Sequence, residues 1–300
     1  MIDVQCLWNG GATLGEGPVW DVEEQALFWV DIKAHAIYRL EPSGGDIRRW
    51  TLPGQVGCVA LDARGDFIAA LQHGIAHVER ATGSCTVLVD PEPERPHNRF
   101  NDGKVDPMGR FWAGTLPDNE IWEPVGNLYV FDADGGWARR VSGVQCSNGI
   151  GWSPEGRTMY FTDSMIGVIW AFDFDLNEGA LSRRRVFAQW PTAEGVPDGL
   201  AVDADGHVWS AVWDGWSIRR YAPSGQLVET VRLPVQRPTS CAFGGPGLDV
   251  LYVTSASIGL SDGNPLNGCV LAFEPRVKGL SPPRCKIDGR LAANARKRDS

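Results

Sequence analysis

Three oxygen-bearing side chains of this 300-residue chain stand at one fixed distance from a turn glycine. Asn101, Asn148 and Asp198 each precede by eight residues a glycine in a turn string, Gly109 in DPMGR, Gly156 in SPEGR and Gly206 in DADGH. Glu16 stands eight before Glu24, the equivalent turn position. Glutamate, aspartate and asparagine are hard oxygen donors. Two carboxylates with neutral amides suit a divalent cation such as calcium, magnesium, manganese, iron(II) or zinc, with positions left for water or substrate. Asn-Gly and Asp-Gly also serve as plain hairpin turns. Three at one phase of a repeat, with a glutamate at the matching place, are more than turn chemistry asks for.

Elements that could bring these donors together are strands. Period-2 alternation and β-rich runs dominate, and no window of helical periodicity persists. Strands are expected at 26–32, 36–40, 67–71, 75–79, 111–115, 127–131, 159–163, 168–173, 207–212, 218–221 and 250–255, separated by turn clusters such as PSGG, DARGD, ATGS and DADGG. Aligned on the turns, a unit starts near Gly15, Gly57, Asn101, Asn148, Asp198 and Thr239, at spacings of 42, 44, 47, 50 and 41 residues. Four strands per unit at this period is the signature of a β-propeller blade. The expected fold is therefore all-β, a six-bladed propeller over residues 1–280, with Val4–Leu7 closing the ring and residues 281–300 a disordered tail. All unit starts would then lie on one rim of the central channel, with Gly57 and Thr239 as silent positions that leave one side open.

Composition narrows the function classes. The formal net charge of −9 repels nucleic acid and anionic membranes, and Arg296-Lys297-Arg298 is too short a basic run to reverse that. No apolar segment approaches the ~20 residues that span a bilayer, and the first residues lack a secretory pattern. Seven cysteines without a C-x-x-C pair read as buried, reduced thiols in a cytoplasmic protein. Thirteen tryptophans recur near strand ends and are expected to pack between sheets.

The strings LGEGPVW, NRFNDGKVDPMGRFWAGT, SNGIGWSPEGRTMYFTDS, PDGLAVDADGHVW and PTSCAFGG, in this order over about residues 11–279, resemble the SMP-30/regucalcin/gluconolactonase family of sugar lactonases. The resemblance implies a six-bladed propeller with one divalent metal ion at the channel mouth, held by Glu16, Asn148 and Asp198. It implies that Arg99 and Asn101 bind substrate oxygens and that Glu120 belongs to a substrate-covering loop, 116–126. The implied activity is hydrolysis of an aldono-1,4- or 1,5-lactone to the aldonic acid. The cation would polarise the carbonyl and Asp198 would orient or deprotonate water. The expected partner is a small-molecule sugar lactone, the protein being a monomer or weak homo-oligomer. Hydrolysis of non-sugar lactones or esters, or cation binding without catalysis, are the alternatives.

Other candidates carry less. His73 and His77 bracket Gly74 and belong to a surface hairpin. No Gly-x-Ser-x-Gly elbow or phosphate-binding glycine loop is present. Asp102 is expected to hold a turn through backbone N–H groups. Asp163 could face either the site or a turn, and Trp213 and Trp216 either a sugar or the neighbouring blade.

Overall fold

In the computed structural model, which describes residues 2–44, 46–119, 121–287 and 296–298, six antiparallel sheets are arranged in chain order. Blade 1 contains Gly15–Asp21, Ala26–Asp31, Ala36–Leu40 and Arg48–Thr51. The inner strands of blades 2 to 6 are Val56–Leu61, Asn98–Val105, Ser147–Trp152, Val196–Val202 and Pro238–Gly244. Each inner strand touches those of both neighbouring blades, and that of blade 6 returns to blade 1. The all-β, six-bladed propeller expected from the repeat is the observed fold. The ring is fastened by Gln5–Trp8, which pairs with Val270–Phe273 as the outermost strand of blade 6.

Burial explains where each strand lies. Second strands such as ALFWVD (26–31) and FIAAL (67–71) are buried throughout, because both faces of a blade pack against other blades. Outer strands such as RRWT and LVETVR carry charge and face water. Aromatic side chains fill the wedges between blades. Trp112 packs edge-on against Trp152 and Phe174, and Trp209 against Phe243.

At the turn end of the blades, buried aspartates fasten the corners. Asp106 accepts backbone N–H groups of Met108 and Arg110, the Arg110 guanidinium and the Trp112 indole N–H. Asp203 does the same with Asp205, His207, Arg220 and Trp209. In blade 2 an isoleucine, Ile68, replaces the indole, and His77 lies 3.8 Å from Asp62 and 3.5 Å from Asp66 instead. Ligand atoms of these three residues lie within 4.8 Å of one another. The rest of the expected hairpin around Gly74 is as read.

The segment after residue 280, expected to be disordered, is laid down as far as residue 287. Arg284 bonds Asp21 at 2.8 Å, the Cys285 N–H bonds the Leu61 carbonyl at 2.8 Å, and Ile287 is buried. This strap crosses the turn end of the channel. Arg296–Lys297 runs parallel to the outer strand of blade 3 at Gly136 and Trp137. Among the described residues no helix is long and apolar enough to cross a membrane.

Candidate functional site at the channel mouth

All six inner strands break register at the same phase. The shifts fall between Glu16 and Val19, Val56 and Cys58, Phe100 and Gly103, Asn148 and Ile150, Pro197 and Leu200, and Pro238 and Ser240. A bulge places an extra residue in one strand and re-aims its side chain. Here each bulge turns a residue of the entry end toward the axis. The X-Gly dipeptides are therefore bulges within inner strands rather than hairpin tips. Gly103, Gly149 and Gly199 are required by close approach, and Gly17 by its positive φ of 52°. A Cβ at Gly149 would stand 2.5 Å from the Asp198 carbonyl, so blade 5 could not come close enough to bring Asp198 beside Asn148.

Glu16, Asn101, Asp102, Asn148 and Asp198 are all buried at this mouth. The two silent positions do not open a side. Gly57 packs against the blade 3 backbone, where a Cβ would lie 2.3 Å from the Asn101 carbonyl. Thr239 donates to the Gly15 carbonyl at 2.5 Å and stitches blade 6 to blade 1. The donors therefore line a closed ring.

The amides are interlocked. The Arg99 Nη1 donates to the Asn101 Oδ1 at 2.7 Å and to the Phe100 carbonyl at 3.0 Å. Asn101 Nδ2 donates to Asn148 Oδ1 at 3.0 Å and to the Ser147 carbonyl at 2.9 Å. Asn148 Nδ2 in turn donates to the Ser164 hydroxyl at 3.0 Å. These bonds orient both carbonyl oxygens and leave each a second lone pair.

The carboxylates are far less satisfied. Glu16 accepts the Gly17 N–H at 3.0 Å, and Asp198 Oδ1 is buried with no hydrogen-bond partner. Burial and then the charge of Asp102 push the Glu16 carboxyl up to about 8. Burial, then Glu16 and Asp102, push Asp198 well above the usual carboxylate range. Burial raises Asp102 as well, opposed by Lys104, and its Oδ1 accepts the Gly103 N–H at 2.7 Å, the local turn contact expected for it. Three buried carboxyls with few donors are costly to ionise together unless a cation joins them. An unpartnered carboxylate oxygen, a second carboxylate and two aligned amide oxygens fit a hard divalent cation.

Lys104 reaches across the channel from blade 3 to donate to the Leu200 carbonyl of blade 5 at 2.6 Å. Beyond it lies a cavity of about 420 Å³, walled by Val59, Val105, Trp152, Val202 and Phe243 and bordered by the strap at 280–284. That cavity is the far end of the channel, and Asp21, Asp102, Lys104 and Arg284 join the apolar side chains in lining it.

Several contributors escape a reading of the repeat. Lys104 follows the donor phase by three residues, and its target is a carbonyl 96 positions away. Asp118, at the base of the 116–126 loop, accepts the Arg99 Nε at 3.0 Å. Glu92 accepts bonds from Asn98, Thr115, Asn127 and Tyr129 and so anchors the start of the strand that carries Arg99. Glu92 itself lies in the proline-rich string PEPERPH (91–97) that leads into that strand, and this was the one sequence signal of a special connection. Glu120 lies outside the described residues. Asp163, at the end of the strand Thr158–Asp163, accepts the N–H groups of Gln145 and Cys146 and so fastens the bend before the blade 4 inner strand. Trp213 is half-buried at the mouth with Arg237 stacked 4.7 Å over its ring, while Trp216 is exposed.

Comparison with known proteins agrees with this architecture. Regucalcin of Xenopus laevis is 35% identical over 292 residues, covering 94% of this chain and 97% of the relative. A 6-deoxy-6-sulfogluconolactonase of Pseudomonas putida is 37% identical over 289 residues, covering 93% and 97%. Among solved structures, the calcium-binding protein regucalcin of Agrobacterium tumefaciens superposes with a TM-score of 0.89 at 28% identity, over 94% of this chain and 97% of that one. The model of the SMP-30/Gluconolactonase/LRE-like region matches residues 14–257, and with this ring of donors at its centre the chain belongs to that family.

Proposed function

We propose that the protein is a divalent-cation-dependent hydrolase that opens an aldono-1,4- or 1,5-lactone to its aldonic acid. The observation that carries the reading is the pair Glu16 and Asp198, buried together with one carboxylate oxygen unpartnered, beside the guanidinium of Arg99. The P. putida relative, named for a lactonase activity, supports the ester class.

Glu16, Asn148 and Asp198 would hold the cation, which when bound supplies Lewis-acid polarisation of a carbonyl. The protein's own groups do the rest. Arg99 donates to substrate oxygens from Nη2, which no acceptor among the described residues faces. Asn101 keeps one carbonyl lone pair for a substrate hydroxyl. Asp198 orients the attacking water and takes its proton as the water oxygen bonds to the acyl carbon; the acyl C–O bond then breaks and the proton passes to the ring oxygen, which leaves as the new hydroxyl. Burial of the mouth strengthens each of these interactions relative to water.

A second reading, cation binding without turnover, is favoured by the A. tumefaciens neighbour being described as calcium-binding. Purified protein assayed on pentono- and hexono-lactones with added calcium, zinc, manganese or magnesium decides between them. The lactonase reading expects turnover that disappears in chelator and returns with a divalent ion. Cation binding with no rate above spontaneous hydrolysis would overturn it.

A further inference from the structure

We infer that Asp118 is a positioning residue for Arg99, and that through this clamp it governs lactone recognition and keeps the cation pocket clear. The inference rests on the lactonase reading of the mouth. One carboxylate gathers donors from three blades. Arg99 Nε of blade 3 bonds Asp118 Oδ1 at 3.0 Å, Lys33 Nζ of blade 1 the same oxygen at 3.3 Å, and Gln55 Nε2, just before the blade 2 inner strand, bonds Oδ2 at 2.8 Å. Lys33 also bonds Gln55 Oε1 at 2.9 Å, which closes the cluster on itself. The Asp118 N–H bonds the His97 carbonyl, so the backbone is fastened as well. Burial raises the Asp118 carboxyl, but Arg99, Gln55 and Lys33 together hold it below its ordinary range, as an anion in place.

The geometry divides the guanidinium by task. Its Nε is spent on Asp118 and its Nη1 on Phe100 and Asn101, which fixes the plane of the fork. Among the described residues no acceptor meets Nη2, which is left for a substrate oxygen. A guanidinium released from Asp118 has the buried anions as its alternative, since its charge already acts on Glu16. Swinging onto them, it would both leave the substrate and compete with a cation. Asp118 thus balances the inward pull on Arg99.

Asp118→Ala, Asp118→Asn, Asp118→Glu, Arg99→Met and the double variant Asp118→Ala/Arg99→Met test this. Their kinetics are measured on the best aldonolactone, and Ca²⁺ and Zn²⁺ binding by titration calorimetry. Asp118→Ala is expected to raise KM on the order of 10-fold with a smaller change in kcat, and to weaken cation binding several-fold. Asp118→Glu restores part of both. In the Arg99→Met background, removing Asp118 costs little more, because the two act as a unit. Full additivity of the two losses, or unchanged KM and cation affinity in Asp118→Ala, would overturn the clamp. Wild-type protein that turns over no lactone defeats the lactonase reading instead, and the cation titrations still decide whether Asp118 restrains Arg99.

Discussion

Asp198 and Asp203 belong to one stretch of blade 5, five residues apart, and are equally buried at 4% and 0% exposure. Asp203 Oδ1 accepts the N–H groups of Asp205 and His207, and its Oδ2 accepts the Trp209 indole and the Arg220 guanidinium. Asp198 has an oxygen with no partner and faces Glu16 and Asp102. The residue type and burial are the same, so the supply of donors makes the difference. At the turn end a carboxylate is a fastener whose charge the fold neutralises. At the mouth the fold withholds donors, and the charge is kept for something that arrives from outside. Asp106 repeats the fastener in blade 3, with Arg110 and Trp112 as its partners.

The contrast can be broken by exchanging the loss. Asp198→Asn is expected to reduce kcat for lactone hydrolysis on the order of 10²–10⁴-fold while leaving the metal-free protein at least as stable, because a repelled buried charge is gone. A variant that kept its rate would remove Asp198 from the chemistry. Asp203→Asn should do the reverse. It strands Arg220 and loosens a turn, costing about 3 kcal/mol in denaturant unfolding with the wild-type KM retained. A large kinetic defect in a folded Asp203→Asn protein would show that the two ends are not separable.

The pH dependence sharpens the comparison. In the unfolded chain a glutamate loses its proton near 4.5, whereas the folded protein holds the Glu16 proton up to about 8. The folded state binds more protons through that window, so without divalent ions stability is present below 4.5 and falls as the pH rises toward 8. Melting temperatures in chelator should follow this slope, and a saturating divalent cation, which competes with the proton, should flatten or reverse it. A chelated protein that gains stability across the window would contradict the burial of Glu16 beside Asp102. The smallest effect belongs to Trp209→Phe, which deletes one donor to Asp203. About 1–2 kcal/mol of stability and no change in KM are expected from melting and kinetics.

Much of this contrast was legible in the sequence, and the limits have physical causes. The unit starts at Gly15, Gly57, Asn148 and Thr239 fall within or at the edge of observed inner strands because a ring repeats its geometry with its sequence. Second and third strands were visible as short β-rich apolar runs between turn clusters. The inner strands themselves, GEGPVWD or NRFNDGKV, look like turns, since the close approach of blades demands glycine and bulges interrupt alternation. Lys33, Gln55 and Asp118 could not be found by phase, because they meet only across three blades and stand outside the repeat. Thr239 was silent in the sequence for the same reason: its partner is the Gly15 carbonyl, 224 positions away. The tail was misjudged over residues 281–287, where backbone bonds to Leu61 and Gly109, rather than its own composition, hold it down; residues 288–295 and 299–300 lie outside the described residues.

The clasp between Gln5–Trp8 and Val270–Phe273 has a consequence for how the molecule comes into being. Gln5–Trp8 finds its partner, Ala272 opposite Gln5, only after five blades and most of the sixth have been made. Until then Val270–Phe273 and its predecessors lack their edge, and the nascent chain carries an open sheet rim of the kind that pairs with neighbouring chains. Joining segments so distant in sequence carries a loop-closure cost that short-range hairpins avoid, which places ring closure late and slow in folding. Refolding yield should therefore depend on protein concentration more than the stability of the finished ring would suggest.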